Sequence, residues 1–197
     1  MDFIDVSKLH EYYTIPFVDA KYPPHAKFVL KGFATHDFAI YIFKYPATFS
    51  PTVQPICLPD SMERFDNKEV VAAGWGLYAP PNVSTSQSKI LRSVKLKVDD
   101  KRYNHFNMFG TKLEKNSVGW FKDACSGDSG SPLMYKDEKK SSYVIIGTAF
   151  GQGYDCKKDK VLLLEKSDNG LWNRVSQWIY WIKSLMEEYE ENQCMPE

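Results

Sequence analysis

The sequence lacks net charge, long apolar runs and any excess of glycine or proline. Its 25 Lys and Arg residues cancel its 25 Asp and Glu residues. Without a basic field there is little to hold a phosphate backbone, and no nucleic-acid partner is expected. Low net charge combined with 43% hydrophobic residues also excludes a disordered chain. Eleven glycines and eleven prolines in 197 residues rule out collagen-like and low-complexity readings. No apolar run approaches the roughly 18 residues of a membrane span. The best candidate, Phe28 to Phe43, is interrupted by Lys31, His36 and Asp37, so no membrane association is expected. The start, Met1-Asp2-Phe3-Ile4-Asp5, has neither the basic nor the apolar region of a secretory signal. Cysteine is sparse: Cys57, Cys125, Cys156 and Cys194. None forms a C-x-x-C pair or a zinc-spaced cluster with histidine, so no metal or other cofactor is expected. Spacing alone does not choose among their possible pairings.

What is present describes one globular domain of mainly β structure, long enough to bury its own core. Phe38 to Phe43 is a short apolar run, and Glu69 to Ala73 ends at Gly74, a natural turn or bulge. Between Ile90 and Val98 the residues Val94, Leu96 and Val98 face one way and Lys95 and Lys97 the other, a half-buried strand. Tyr143 to Ile146 reads as a buried strand closed by Gly147. Short strands separated by Gly, Pro, Asn and Asp predict a barrel or sandwich. The C-terminus differs. Val175, Trp178, Ile179, Ile182, Leu185 and Met186 recur at helical spacing, predicting an amphipathic helix over 173–191. Lys136 to Ser142 and Lys157 to Asn169 read as exposed, charge-rich loops.

One segment suggests chemistry: Asp123-Ala124-Cys125-Ser126-Gly127-Asp128-Ser129-Gly130-Ser131-Pro132-Leu133. A serine among small and acidic residues is often only a turn. A nucleophilic hydroxyl, however, needs backbone N–H donors aimed at the developing oxyanion. Glycines beside Ser129 let the backbone come that close.

At these residues the chain resembles the trypsin-like, chymotrypsin-fold serine proteases. The family pattern Asp-x-Cys-x-Gly-Asp-Ser-Gly-Gly-Pro is departed from only at Ser131. Further anchors follow in the family's order. His36-Asp37-Phe38-Ala39-Ile40 is similar to its Asp-Ile-Ala-Leu segment, and Pro55-Ile56-Cys57-Leu58-Pro59 to its Pro-Ile-Cys-Leu-Pro. Ala73-Gly74-Trp75-Gly76 carries its Gly-Trp-Gly. Ile146-Gly147 through Cys156 resembles its Ser-Trp-Gly…Cys strand. Gly170-Leu171-Trp172-Asn173-Arg174-Val175 resembles the Gly-Val-Tyr-Thr-Arg-Val before its terminal helix.

The resemblance implies an all-β double barrel whose first barrel is incomplete, plus a C-terminal helix. Residues 1–60 would be the end of the first barrel, 61–172 the second barrel and 173–191 the helix, in one domain. It implies Ser129 as nucleophile and Asp37 as the carboxylate that orients a catalytic imidazole. The N–H groups of Gly127 and Ser129 would form the oxyanion hole. Asp123 would be the acidic floor of a Lys/Arg-selecting pocket, with Gly151 and Gly170 as its walls. Cys125 and Cys156 would form a disulfide beside it. Asp128 would be the partner of an activating N-terminal amine. The Ser-His-Asp triad is best known from this same family, and these roles are carried over from it. Polypeptide substrates, protease inhibitors and an extracellular setting are implied in the same way.

The departures from the family matter as much. The Thr-Ala-Ala-His-Cys segment bearing the catalytic histidine is absent. His10, His25, His36 and His105 all lack its context. The Ile-Val-Gly-Gly start is absent too, so Asp128 is expected to turn elsewhere and leave the oxyanion hole and pocket disordered or collapsed. Val70 and Tyr135 stand where relatives carry a disulfide, Ala149 replaces a serine behind the triad carboxylate, and Phe150 replaces a tryptophan. Cys57 is expected either to pair with Cys194 or to stay free. Two expectations follow: a piece of a longer trypsin-like enzyme, inactive alone, or a non-catalytic module that binds a basic peptide segment.

Overall fold

The computed structural model describes residues 17–21, 37–43, 45–60, 63–78, 86–99, 108–117, 119, 121–139, 141–151, 154–155, 160–161 and 170–193. Two strands come first, β1 (Phe17–Lys21) and β2 (Ile40–Phe43), paired antiparallel with a register shift between Phe17 and Asp19. Besides two-residue strands, six longer ones follow: β3 (Glu69–Gly74), β4 (Arg92–Asp99), β5 (Met108–Thr111), β6 (Pro132–Asp137), β7 (Ser142–Gly151) and β8 (Gly170–Arg174). These six close into a barrel in the order β6-β7-β8-β5-β4-β3. A 3-10 turn, Val175–Trp178, leads into α1 (Ile179–Gln193). This is the all-β architecture expected from the resemblance, with one closed barrel, a separate β1–β2 pair and a C-terminal helix among the described residues.

The barrel follows from alternation. In β4 the side chains of Leu96 and Val98 are buried and those of Lys95 and Lys97 exposed, as a period of two requires. In β3, Val70 and Ala72 are buried, with Glu69 exposed. Every barrel strand sends residues into one core: Val70, Leu96, Phe109, Leu133, Ile146 and Trp172 belong to a single buried cluster. Full burial of such side chains is worth about 1.5–3 kcal/mol each. Tyr135 packs against this cluster and meets the Phe65 ring at 5.2 Å. Val70 and Tyr135 are thus packing residues of the barrel core.

Two expectations need correction. Lys136 and Asp137 belong to β6 rather than to a loop, paired with Tyr143 and Ser142. The charged residues there are a hairpin end, and Ser141, at φ 51, makes its turn. The apolar stripe at the C-terminus is buried at Val175, Ile179 and Ile182, yet Met186 is 50% exposed. Leu185 is still half-buried, and the stripe loses its cover at Met186. The Lys157–Asn169 segment lies largely outside the described residues.

Trp172 is fully buried, and its indole N–H donates to the Thr111 hydroxyl at 2.9 Å inside the barrel. A buried donor without an acceptor is costly. Thr111→Val is expected to lower the unfolding free energy in urea by about 1–3 kcal/mol. In the Trp172→Phe background, where no N–H remains, it should cost clearly less.

On the outer face of the barrel, Lys95 Nζ lies 2.7 Å from Glu69 Oε1. That hydrogen bond, then the lysine charge, holds the Glu69 carboxyl below its ordinary 4.5, and the same pair raises Lys95. A depressed carboxyl favours the fold above its unfolded pKa and loses that contribution as pH falls through the folded value. Both side chains are well exposed, so the effect on stability is small. Lys95→Met should raise the Glu69 titration midpoint measured by NMR and leave the urea midpoint at neutral pH nearly unchanged.

Candidate active site

The Ser129 loop enters from the short strand Phe121–Lys122 and leaves into β6. Two successive turns shape it. Asp128 N–H donates to the Cys125 carbonyl at 2.9 Å, and Ser131 N–H to the Asp128 carbonyl at 2.8 Å. Gly127 sits at φ 97, a conformation that side-chain-bearing residues rarely adopt. The loop is then tied to β7, with Gly130 N–H donating to Ala149 O and Ala149 N–H to Ser131 O, both at 2.9 Å. Ser129 and Gly127 are left exposed at the top of the turn. Among the described residues, the N–H groups of Gly127 and Ser129 donate to no protein group.

Asp128 points the other way. Its Oδ1 accepts the Gly76 N–H at 2.7 Å and its Oδ2 accepts the Cys125 N–H at 2.9 Å. Leu77 N–H, next along from Gly76, donates to Ser126 O at 2.8 Å. A Cβ on Gly76 would overlap the Asp128 carboxylate, so glycine is what permits this approach. With both carboxylate oxygens engaged by backbone N–H groups, the loop around Asp128 is held in place. A pocket is open beside Ser129.

Two adjacent cavities flank this loop. The smaller, of about 180 Å³, is lined by Ser129, Ala124, Cys125, Ala149, Phe150 and Gly151, among others. The larger, of about 310 Å³, is lined by Asp123, Gly74, Gly76, Arg92 and Ser131 among others. Ala124 and Asp128 line both. Asp123, expected beneath the Ser129 pocket, lines the larger cavity, and its Oδ1 accepts the Ala124 N–H at 2.8 Å. Gly170 backs it, and a Cβ there would overlap Asp123 Oδ1. Gly151 lines the Ser129 pocket. Arg92, which the sequence does not single out, also lines the larger cavity. Its guanidinium stacks 3.5 Å above the Tyr78 ring, and its Nε donates to Ser88 Oγ at 3.0 Å. No motif signals that role, because it depends on β4 passing behind the loop.

Asp37 lies just before β2 and is exposed. Its main-chain carbonyl accepts the Asn173 side-chain N–H at 2.8 Å. All four histidines and Cys156 lie outside the described residues. Cys125 is not a free thiol, whereas Cys57 is free and exposed. Among the described residues, no group of three or more His, Cys, Asp or Glu is placed to hold a metal ion. No helix of the described residues is long and apolar enough to cross a membrane.

The Trypsin family model matches residues 13–182. The chain belongs to the trypsin family. It is 24% identical to the clotting factor G beta subunit of Tachypleus tridentatus, over 76% of this chain and 50% of that protein. It is 30% identical to Limulus clotting factor C of Carcinoscorpius rotundicauda, over 79% of this chain and 16% of that one. Against transmembrane protease serine 11C of Mus musculus the identity is 30%, over 76% of this chain and 33% of the relative. The chain thus spans half or less of the length of these trypsin-family relatives.

The grip on Asp128 is directly testable. Gly76→Ala should displace the carboxylate and lower the unfolding free energy by about 1.5–3 kcal/mol, as for a lost charge-assisted hydrogen bond. Chemical denaturation of the two proteins gives the difference.

Proposed function

We propose that this chain is the nucleophile-bearing part of a trypsin-like serine endopeptidase acting on polypeptides after Lys or Arg. The observation that carries this reading is Ser129, exposed at the mouth of a pocket, beside two backbone N–H groups that no described protein group uses. In acyl transfer the Ser129 hydroxyl would attack the scissile carbonyl. The N–H groups of Gly127 and Ser129 would take up the charge forming on its oxygen. Asp37 would orient the imidazole that accepts the serine proton. Asp123, one residue before Ala124, which lines both cavities, would receive the basic side chain, since a half-buried carboxylate in a cavity wall attracts a cationic partner. Cys125 paired with Cys156 would brace the pocket.

Because no histidine of this sequence has the triad context, the same reading holds that the 197-residue chain does not turn over substrate alone. Removing one triad member lowers the rate by several powers of ten. Basic peptides and inhibitors that insert a Lys or Arg side chain are the expected ligands, and an extracellular setting fits the family.

In the chain as it stands, Asp123→Asn should weaken binding of a fluorescent Arg-containing peptide by about tenfold or more, as for loss of a charged pair. Equal affinity for the two proteins would refute Asp123 as the specificity carboxylate. An amidase assay on a Lys or Arg substrate should show no turnover, and activity abolished by Ser129→Ala would overturn the proposed inactivity. In a longer form of the protein that carries a triad histidine, binding of the basic peptide without labelling by a fluorophosphonate probe would instead favour a non-catalytic binding module.

A further inference from the structure

Asp37 and Ser129 reach their positions from distant parts of the chain, and something must hold the Asp37 segment against the barrel. Two contacts do so. Asn173, on β8, donates its side-chain N–H to the Asp37 carbonyl at 2.8 Å, across 136 residues of sequence. The next residue, Phe38, stacks its ring on Trp178 at 6.3 Å and meets Trp181 edge-on at 6.3 Å. Trp178 and Trp181 in turn meet edge to face at 6.5 Å.

Asn173 is an unusual residue for its place. It is 5% exposed, on a strand whose preceding residues, Leu171 and Trp172, are core. Its register partners are Thr148 and Met108. A buried amide is costly unless its hydrogen-bonding groups find partners. Here the amide donates outside its own sheet, to the backbone of a segment that belongs to none of the barrel strands. Phe38 is half-buried against the helical segment, and Asp37 is exposed. Holding the Asp37 carbonyl at one point and the Phe38 ring at the next fixes the backbone from which the Asp37 carboxylate projects.

We infer that Asn173 is a positioning residue: with Phe38 stacked on Trp178 and Trp181, it places Asp37 on the barrel that carries Ser129. The inference rests on the role proposed above for Asp37. The placement would then be decided by β8 and the C-terminal helical segment.

The test uses the full chain and needs no turnover. Asn173→Asp keeps the shape and removes the donor. It should speed amide hydrogen exchange across residues 38–43 about tenfold or more, the equivalent of one lost hydrogen bond. The Asp37 carboxyl carbon resonance should shift, while exchange in β3 and β4 stays unchanged. Asn173→Thr, which retains a donor, should recover part of the protection. Phe38→Ala, on the half-exposed segment, should give the same pattern and decides the matter if Asn173→Asp fails to fold. Unchanged protection and an unchanged Asp37 resonance overturn the inference, and so does loss of protection spread equally over the barrel. If Asp37 has no part in catalysis, these readouts still report its placement, because none of them depends on turnover.

Discussion

The site depends on the Asp128 carboxylate and the two backbone N–H groups it holds. One belongs to Cys125 in its own loop, and the other to Gly76, 52 residues away. A carboxylate accepting backbone hydrogen bonds in a partly buried place is strongly directional. With both oxygens occupied, the backbone on either side of Asp128 has little freedom. Gly127 is pushed to a positive φ, Ser129 is left at the exposed corner, and the pocket beside it stays open. The Leu77–Ser126 hydrogen bond reinforces the same junction.

That junction exists only because the barrel closes. β3 pairs with both β4 and β6, so the end of β3 at Gly74 lies where the Ser129 loop runs into β6. Closure is driven by the shared core, to which all six strands contribute. The Thr111 hydroxyl satisfies the Trp172 indole at its centre. The same β8 that buries Trp172 offers Asn173 to the Asp37 segment, so core packing and the seating of that segment are joined on adjacent residues.

Much of this is legible in the sequence because it is local. The alternation from Val94 to Val98 is a one-strand property, and the strand follows. The spacing from Val175 to Ile182 is a one-helix property, and the 3-10 turn and helix follow. The run from Asp123 to Leu133 carries its own glycines, which announce its turns. The charged hairpin end at Lys136 and Asp137 reads as a loop, because charge marks exposure and a strand end is as exposed as a loop. Met186 keeps the helical spacing yet loses its cover, since periodicity does not state where the packing surface stops.

By itself, the sequence determined the fold class, the trypsin-family pattern and the candidate nucleophile, all of which rest on neighbouring residues and their order. Only the tertiary structure decided the partners of Asp128, the division of Asp123 and Ser129 between two cavities, the place of Arg92 and the reach of Asn173 to Asp37. Each of these depends on groups brought together by strand register and barrel closure, which arise when the whole core packs at once.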